Sequence, residues 1–342
     1  MRFGGRAALG FGVSALLLWY ALSGVDLTEV ARELRGSDLT LWALCTVASQ
    51  LIFPLRALRW RVILDPTHPK LPLGSLWRAT AIGMMVNNVV PARAGELARV
   101  FALTREQREV RFSTGLASLA VDRVFDAGCV VLLLVLAMYD PQFPAGVTIA
   151  GRPIRDTATA GLVLVVGAFV ALYVVARFPE RFERVARAVT RRVLPRFEAR
   201  VGALVHALAG GLAVLRSPLR FLEVFAWALA HWLMNAFAFW LGFRAVGIDA
   251  PASAALLVQG LIAIGVSIPS SPGFFGIFET IAKVALPIYG IDATRAVVWA
   301  LGFHILSFIP ITVIGAWYFA RLGVRLGDLA SAEAAAAADP AP

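Results

Sequence analysis

Along the chain, long apolar blocks alternate with short charged ones, and that alternation predicts a set of helices. Residues 7–23, 39–55, 157–176 and 296–320 carry no acidic or basic charge, and residues 247–278 carry only Asp249. A helix needs about 20 mainly apolar residues to cross the hydrocarbon core of a bilayer, and several blocks have that length. A backbone in lipid must satisfy its own polar groups, and the pattern lacks the short alternating strands of a barrel. The expected fold is all-α, a polytopic transmembrane helical bundle with about 6–8 spans.

Full spans are predicted over residues 7–23, 39–58, 112–139, 157–176, 219–245 and 294–320. Two shorter stretches behave differently. Residues 73–90 are apolar apart from Arg78, end in Asn87-Asn88-Val89-Val90-Pro91, and have basic residues on both sides. Such a segment enters and leaves on one face, as a re-entrant helix does. Residues 251–269 and 274–287 are two short apolar pieces broken by Ser267-Ile268-Pro269-Ser270-Ser271-Pro272-Gly273. The two broken or re-entrant segments hold corresponding places in the two halves, the first opening from the cytoplasm and the second from outside. Broken helices so placed are a sequence pointer to a transporter binding site between inverted repeats.

Composition supports a membrane protein. Hydrophobic residues make up 59% of the chain and charged ones 16%, where soluble domains are nearer a quarter charged. The net charge of +10 sits mainly in loops, as the positive-inside rule expects, and is not read as a nucleic-acid surface. Its densest part, Arg177, Arg181, Arg184, Arg187, Arg191, Arg192, Arg196 and Arg200 against Glu180, Glu183 and Glu198, predicts a cytoplasmic basic helical segment over 177–218 near anionic headgroups. It lies inside a transmembrane domain spanning 1–328, and the Ala- and Pro-rich residues 329–342 are expected to be a disordered tail. Arg2 and Arg6 before an apolar run resemble a signal peptide, here read as an uncleaved first helix. Both termini are then cytoplasmic, in the inner membrane. Cys45 and Cys129 lie in apolar stretches and read as buried filler.

Candidate chemistry gathers at the breaks. In the first, Pro91 and Gly95 interrupt the helix, and Arg93, Glu96 and Arg99 follow at intervals of three along one side. Freed backbone donors beside an arginine suit an anionic phosphate, because the guanidinium offers a planar fork of donors. In the second, Pro272, Gly273 and Gly276 lead into a short helix with Glu279 and Lys283 one turn apart, able to pair. The helix N-terminus near Gly273 offers unpaired N–H groups to a phosphate or carboxylate. Asp122, Arg123 and Asp126 lie inside a span, where each charge costs roughly 2.5–3.5 kcal/mol, so Arg123 must be balanced by Asp122, Asp126 or Glu96. His231 and Asn235 share a helix face, and His304 lies in the last span. The chain lacks a GxxxxGK[ST] loop, an HExxH pair and a GxSxG elbow, so no cofactor and no enzymatic reaction is expected.

Together, "NNVVPARAGELARV", "DRVFD" and "IPSSPGFFGIFE" resemble the flippase-like membrane family. That family includes the N-terminal transmembrane domain of lysylphosphatidylglycerol synthases, the multiple-peptide-resistance factors. The resemblance covers residues 5–325 and implies a domain that moves lipids or lipid-linked headgroups between leaflets. It points to Asn88, Pro91, Arg93, Gly95 and Glu96, to Arg123 and Asp126, and to Pro269, Pro272, Gly273, Gly276 and Glu279. Two departures stand out: Phe274-Phe275 where relatives often have consecutive glycines, and His304 where an arginine is expected. The expected function is therefore a lipid flippase whose broken helices form a polar headgroup pocket. In it Arg93 and Arg123 hold phosphate, while Glu96 and Glu279 balance charge or meet a cationic headgroup. The substrate-binding set is Asn88, Pro91, Arg93, Gly95, Glu96, Arg99, Asp122, Arg123, Asp126, Pro272, Gly273, Gly276, Glu279 and His304. The expected partners are a membrane lipid and either a lipid-modifying enzyme or a second copy of the chain. The alternatives are a secondary transporter of a small anionic solute and a non-transporting scaffold for a lipid-modifying enzyme.

Overall fold

A computed structural model describes residues 4–90, 94–144, 146–149, 152–193, 216–266 and 272–323. Pro91, Arg93 and Pro269 of the predicted breaks lie outside these residues, as do the 329–342 tail and much of the 177–218 segment. The described residues form twelve α-helices: α1 (Gly4–Leu22), α2 (Leu27–Gly36), α3 (Leu39–Leu64), α4 (Leu73–Val89), α5 (Gly95–Glu106), α6 (Phe112–Tyr139), α7 (Ile154–Arg177), α8 (Pro179–Val193), α9 (Pro218–Ala245), α10 (Ala252–Gly265), α11 (Ile277–Ala285) and α12 (Ala293–Arg321). A two-residue antiparallel strand pair, Thr148–Ile149 with Arg152–Pro153, precedes α7. Among the described residues, α3, α9 and α12 are long and apolar enough to cross a membrane. Residues Gly12–Leu22 and Leu27–Gly36 form a further apolar pair bent by 77°. The expected helical membrane bundle is what the chain forms.

Local sequence sets the helix ends. Asp26, Asp38 and Asp292 cap α2, α3 and α12, each accepting backbone N–H groups of the first turn through its carboxylate. Between the first and second predicted spans, the chain forms the amphipathic helix α2, with Val30 as its buried residue.

Long helices supply the frame. α3 runs along α9, and α12 packs on α4 and α3. The largest core cluster is aromatic, with Trp299 between Phe239, Phe243 and Phe278 at ring separations of 4.7–5.6 Å. Gly302 lets Trp42 lie against α12, since a Cβ there would stand 2.7 Å from its ring. Cys45 and Cys129 are buried and unlinked. Large apolar side chains such as Leu44, Val47, Leu51, Val163, Leu164, Ile309 and Val313 face outward, an arrangement stable in lipid but not in water.

Two short hairpins sit inside this frame. In the first, α4 and α5 run antiparallel. Near the base, Arg78 forks onto Glu106 (Nε–Oε1 2.9 Å, Nη2–Oε2 2.6 Å) and Gln107 donates to Ser75 Oγ at 3.0 Å. Nearer the tip, Gly83 meets Gly95 and Arg99, and the Gly95 N–H donates to Asn87 Oδ1 at 2.9 Å. The segment thus folds back on itself as a helical hairpin. In the second, the end of α10 at Gly265 packs on Ile277 and Ile281 of α11, and the turn Leu286–Tyr289 returns to α10. The Pro272–Phe274 turn of the second tip packs on α4 of the first hairpin. Each half thus reads long helix, hairpin, long helix: α3, α4–α5 and α6, then α9, α10–α11 and α12.

Candidate functional site

Where the hairpin tips meet, the helices leave a cavity of about 260 Å³. Ser49 and Arg56 come from α3, Asn87, Asn88 and Glu96 from the first hairpin, and Arg123 and Asp126 from α6. His231 and Asn235 come from α9, Gln259 from α10, Gly273 and Phe274 from the second tip, and His304 and Ser307 from α12. Its volume lies below the ~300–1,000 Å³ of drug-sized pockets.

One wall is a buried ion network. Arg59, fully enclosed, lies 2.6 Å from Asp122 Oδ1 and 2.7 Å from Asp126 Oδ1. The first contact is an ion pair without hydrogen-bond alignment, and the second is a hydrogen bond. Arg99 donates to Asp122 Oδ2 at 3.2 Å and stacks on Trp60, 4.0 Å from its ring centre. Arg123 contacts Glu96 at 3.1 Å, Asp126 at 3.2 Å and Asp122 at 3.5 Å. The indole N–H of Trp232 donates to Asp126 Oδ1 at 3.1 Å, and His231 Nδ1 stands 3.9 Å from the same oxygen. All three carboxylates proposed to balance Arg123 therefore do so. In contrast to Arg59, Arg123 keeps 40% of its side chain accessible, so it is the member of this network that can reach a guest.

The opposite wall is the second tip. His304 Nε2 is 2.7 Å from the Gly273 carbonyl and Nδ1 is 2.6 Å from Glu279 Oε1. A carbonyl only accepts, so Nε2 carries a proton. The Nδ1–Oε1 contact then also needs a proton between the two atoms. Glu279, fully buried, accepts the Gly276 N–H through Oε2 at 2.7 Å. Gly276 has φ +89°, and a Cβ there would stand 2.5 Å from the Ser14 carbonyl of α1, so only glycine fits. Phe274 also holds a positive φ of 62° without being glycine, a strained conformation typical of functional loops.

Two sequence expectations are corrected here. Glu279 does not pair with Lys283. The carboxylate turns back to cap its own helix and meet His304, while Lys283 donates to the Tyr20 and Ser23 carbonyls that end α1, at 2.8 and 2.7 Å. Nor does the short helix begin near Gly273. It starts at Ile277, and its Gly276 N–H is already bonded to Glu279, so Glu279 occupies the place expected for an external anion.

Of the predicted site residues, Asn88, Glu96, Arg123, Asp126, Gly273 and His304 line the cavity. Arg99, Asp122 and Glu279 stand behind it as partners, while Gly95, Pro272 and Gly276 shape the backbone of the tips. Asn88 also donates to Thr312 Oγ1 at 2.7 Å, tying the first tip to α12. The sequence reading missed Arg56, Arg59, Trp232 and Gln259. Arg56 and Arg59 stand at the end of the span predicted to stop at residue 58, where arginines read as orientation charges, yet α3 continues to Leu64 and buries Arg59 completely. No local signal separates them from topology-setting arginines, because the acids that hold Arg59 come from α6.

The family described as the lysylphosphatidylglycerol synthase TM region matches residues 7–315. The chain belongs to that family. It is similar to two proteins named UPF0104 membrane protein from Methanothermobacter thermautotrophicus. One is 25% identical over 90% of this chain and 90% of its own length, the other 27% identical over 84% and 85%. It is also 28% identical, over 75% of this chain and 44% of the other, to a Haloferax volcanii protein named glycosyltransferase AglD. No solved structure matches the chain significantly. Family membership and apolar helices together make this a multi-pass membrane protein.

Proposed function

We propose that the protein is a lipid translocase of the inner membrane, with both termini cytoplasmic, that passes a phospholipid or lipid-linked headgroup between leaflets. The observation that carries this reading is the cavity where two hairpin tips meet, in which Arg56, Glu96, Arg123 and Asp126 stand among aromatic and aliphatic side chains, inside a bundle that turns many large apolar side chains outward. Polar groups at membrane depth are retained where they face a bundle interior or an aqueous cavity and serve transport. Half-helices from two corresponding hairpins are the usual architecture of such a site. Membership of a family named for a lipid synthase's membrane region, and a relative named as a glycosyltransferase, both support a role beside lipids or lipid-linked sugars.

Arg123 is the arginine of the ion network that reaches the cavity, and it would hold the phosphate. Glu96 and Glu279 do not serve a cationic headgroup in this reading, because their contacts go to Arg123, His304 and Gly276. The test is leaflet exchange of fluorescent phospholipids in liposomes containing the purified protein. Exchange faster than in protein-free vesicles is expected, and Arg123→Gln should slow it by about tenfold, the loss of one charge-assisted contact. If no phospholipid or polyprenyl-phosphate is accelerated while the vesicles take up phosphate saturably, the protein is a solute transporter instead.

A further inference from the structure

The turn of the second tip hangs on one pair of side chains. At its start the Gly273 carbonyl accepts from His304 Nε2 at 2.7 Å, and at its end the Gly276 N–H donates to Glu279 Oε2 at 2.7 Å. Glu279 Oε1 and His304 Nδ1 join these two anchors at 2.6 Å. His304 lines the cavity and keeps 8% of its side chain accessible, whereas the carboxylate behind it keeps none. Phe275 of the same turn stacks on the imidazole, with 4.2 Å between ring centres.

The two imidazole contacts need two protons on the pair. One sits on Nε2 for the Gly273 carbonyl, and the second lies between Nδ1 and Oε1. Without that second proton the contacts conflict. If the remaining proton stays on Nε2, the Nδ1 lone pair meets a carboxylate oxygen at 2.6 Å; if it sits on Nδ1, the Nε2 lone pair meets a carbonyl oxygen at 2.7 Å. A hydrogen bond to a carboxylate is roughly twice as strong as one between neutral groups. The Nδ1 arrangement therefore wins, and the Gly273 carbonyl is let go. The turn it belongs to packs on α4 of the first hairpin. It also holds Gly273 and Phe274 at φ of 70° and 62°, a conformation that a non-glycine residue keeps only while its surroundings enforce it.

The groups around the pair leave it room to titrate. On α11, Lys283 is bound to carbonyls of α1 and lies over the Tyr20 ring. The α10 sequence has no titratable side chain, and Tyr289 follows the far end of α11. Across the cavity stand Arg56 of α3, Glu96 of α5, Arg123 and Asp126 of α6, and His231 of α9. Glu96 and Asp126 are paired with Arg123, and arginines, Arg93 included, keep their protons. We propose that Glu279 and His304 form a proton site whose emptying releases the second tip from the cavity wall. Under the translocase reading, on which this extension rests, the proton is the coupling ion for lipid movement.

The test is hydrogen–deuterium exchange of the backbone over residues 272–280, in the full chain in detergent, from about pH 5 to 8, where histidine changes charge. Glu279→Gln is the reference at every pH, which cancels the chemical pH dependence of exchange. Its amide donates to Nδ1 and accepts the Gly276 N–H, so it keeps the contacts without the titrating proton. Wild type should match Glu279→Gln at the acid end and exchange about tenfold faster at the alkaline end, the effect of one lost hydrogen bond. A ratio that stays constant across the range overturns the proposal. If Glu279→Gln does not fold, His304→Gln replaces it as a reference that gains no charge, and the ratio must again change with pH. Leaflet exchange under an imposed pH gradient tests the extension. Net lipid movement that follows the gradient in wild type but not in Glu279→Gln supports coupling, and movement indifferent to the gradient overturns it. A pH-dependent tip with no lipid movement at all would sink the translocase reading while leaving the proton site in place.

Discussion

Arg59→Met is expected to destabilise the protein by about 3–5 kcal/mol, the usual effect of removing one partner from a buried ion pair. The side chain is fully enclosed and bridges Asp122 and Asp126 at 2.6 and 2.7 Å. Methionine fills a similar space but leaves two carboxylates short of their nearest counter-charge. Arg99 and Arg123 remain on Asp122 and Asp126 at 3.2 Å, yet Arg99 is committed to Trp60 and Arg123 to the cavity. Arg59→Lys should recover only part of the loss, since one ammonium cannot fork across both acids. Thermal melting in detergent reads both variants. Unchanged melting of Arg59→Met would mean that the wall is held by something other than this network.

The first hairpin should fail just as visibly in Gly95→Ala. A Cβ at position 95 would run into the Gly83 carbonyl and the Asn87 side chain, so α4 and α5 would have to separate. Overpacking of this kind costs about 1–3 kcal/mol. Displacing the Gly95 N–H from Asn87 Oδ1 removes roughly another 1 kcal/mol. Because Asn87 lines the cavity, transport should fall further than stability does. Limited proteolysis near the tip together with leaflet exchange would show both effects, and an alanine variant matching wild type in both would refute close packing there.

These two residues mark what the sequence shows and what it conceals. Gly95 was legible: a glycine and a proline breaking an apolar run announce a hairpin tip. The spans were legible for the same reason, since α6 occupies the predicted interval of 112–139, α9 starts one residue before its own, and α12 runs one residue past its own at each end. Arg59 was hidden because an arginine near the end of an apolar run reads as a topology signal. Only the three-dimensional approach of α3 to α6 makes it a core residue. The Glu279 contact to His304 was likewise beyond local reading: helix spacing pairs it with Lys283, but the partner comes from α12, 25 positions away. The hydrophobic pattern exposes periodic and local features, whereas pairings across the bundle depend on which helices become neighbours.

The most direct test of the account is whether lipid passes through the cavity between the tips. Ser307 lines that cavity from α12, and Ile309, two residues on, faces outward with 52% of its surface accessible. Leaflet exchange should be measured in liposomes containing wild type, Ser307→Trp or Ile309→Trp at matched protein density. The account predicts that Ser307→Trp fills the cavity and brings exchange to the protein-free rate, while Ile309→Trp leaves it at the wild-type rate. Equal exchange by all three proteins would contradict it, placing the lipid path somewhere other than between the hairpins.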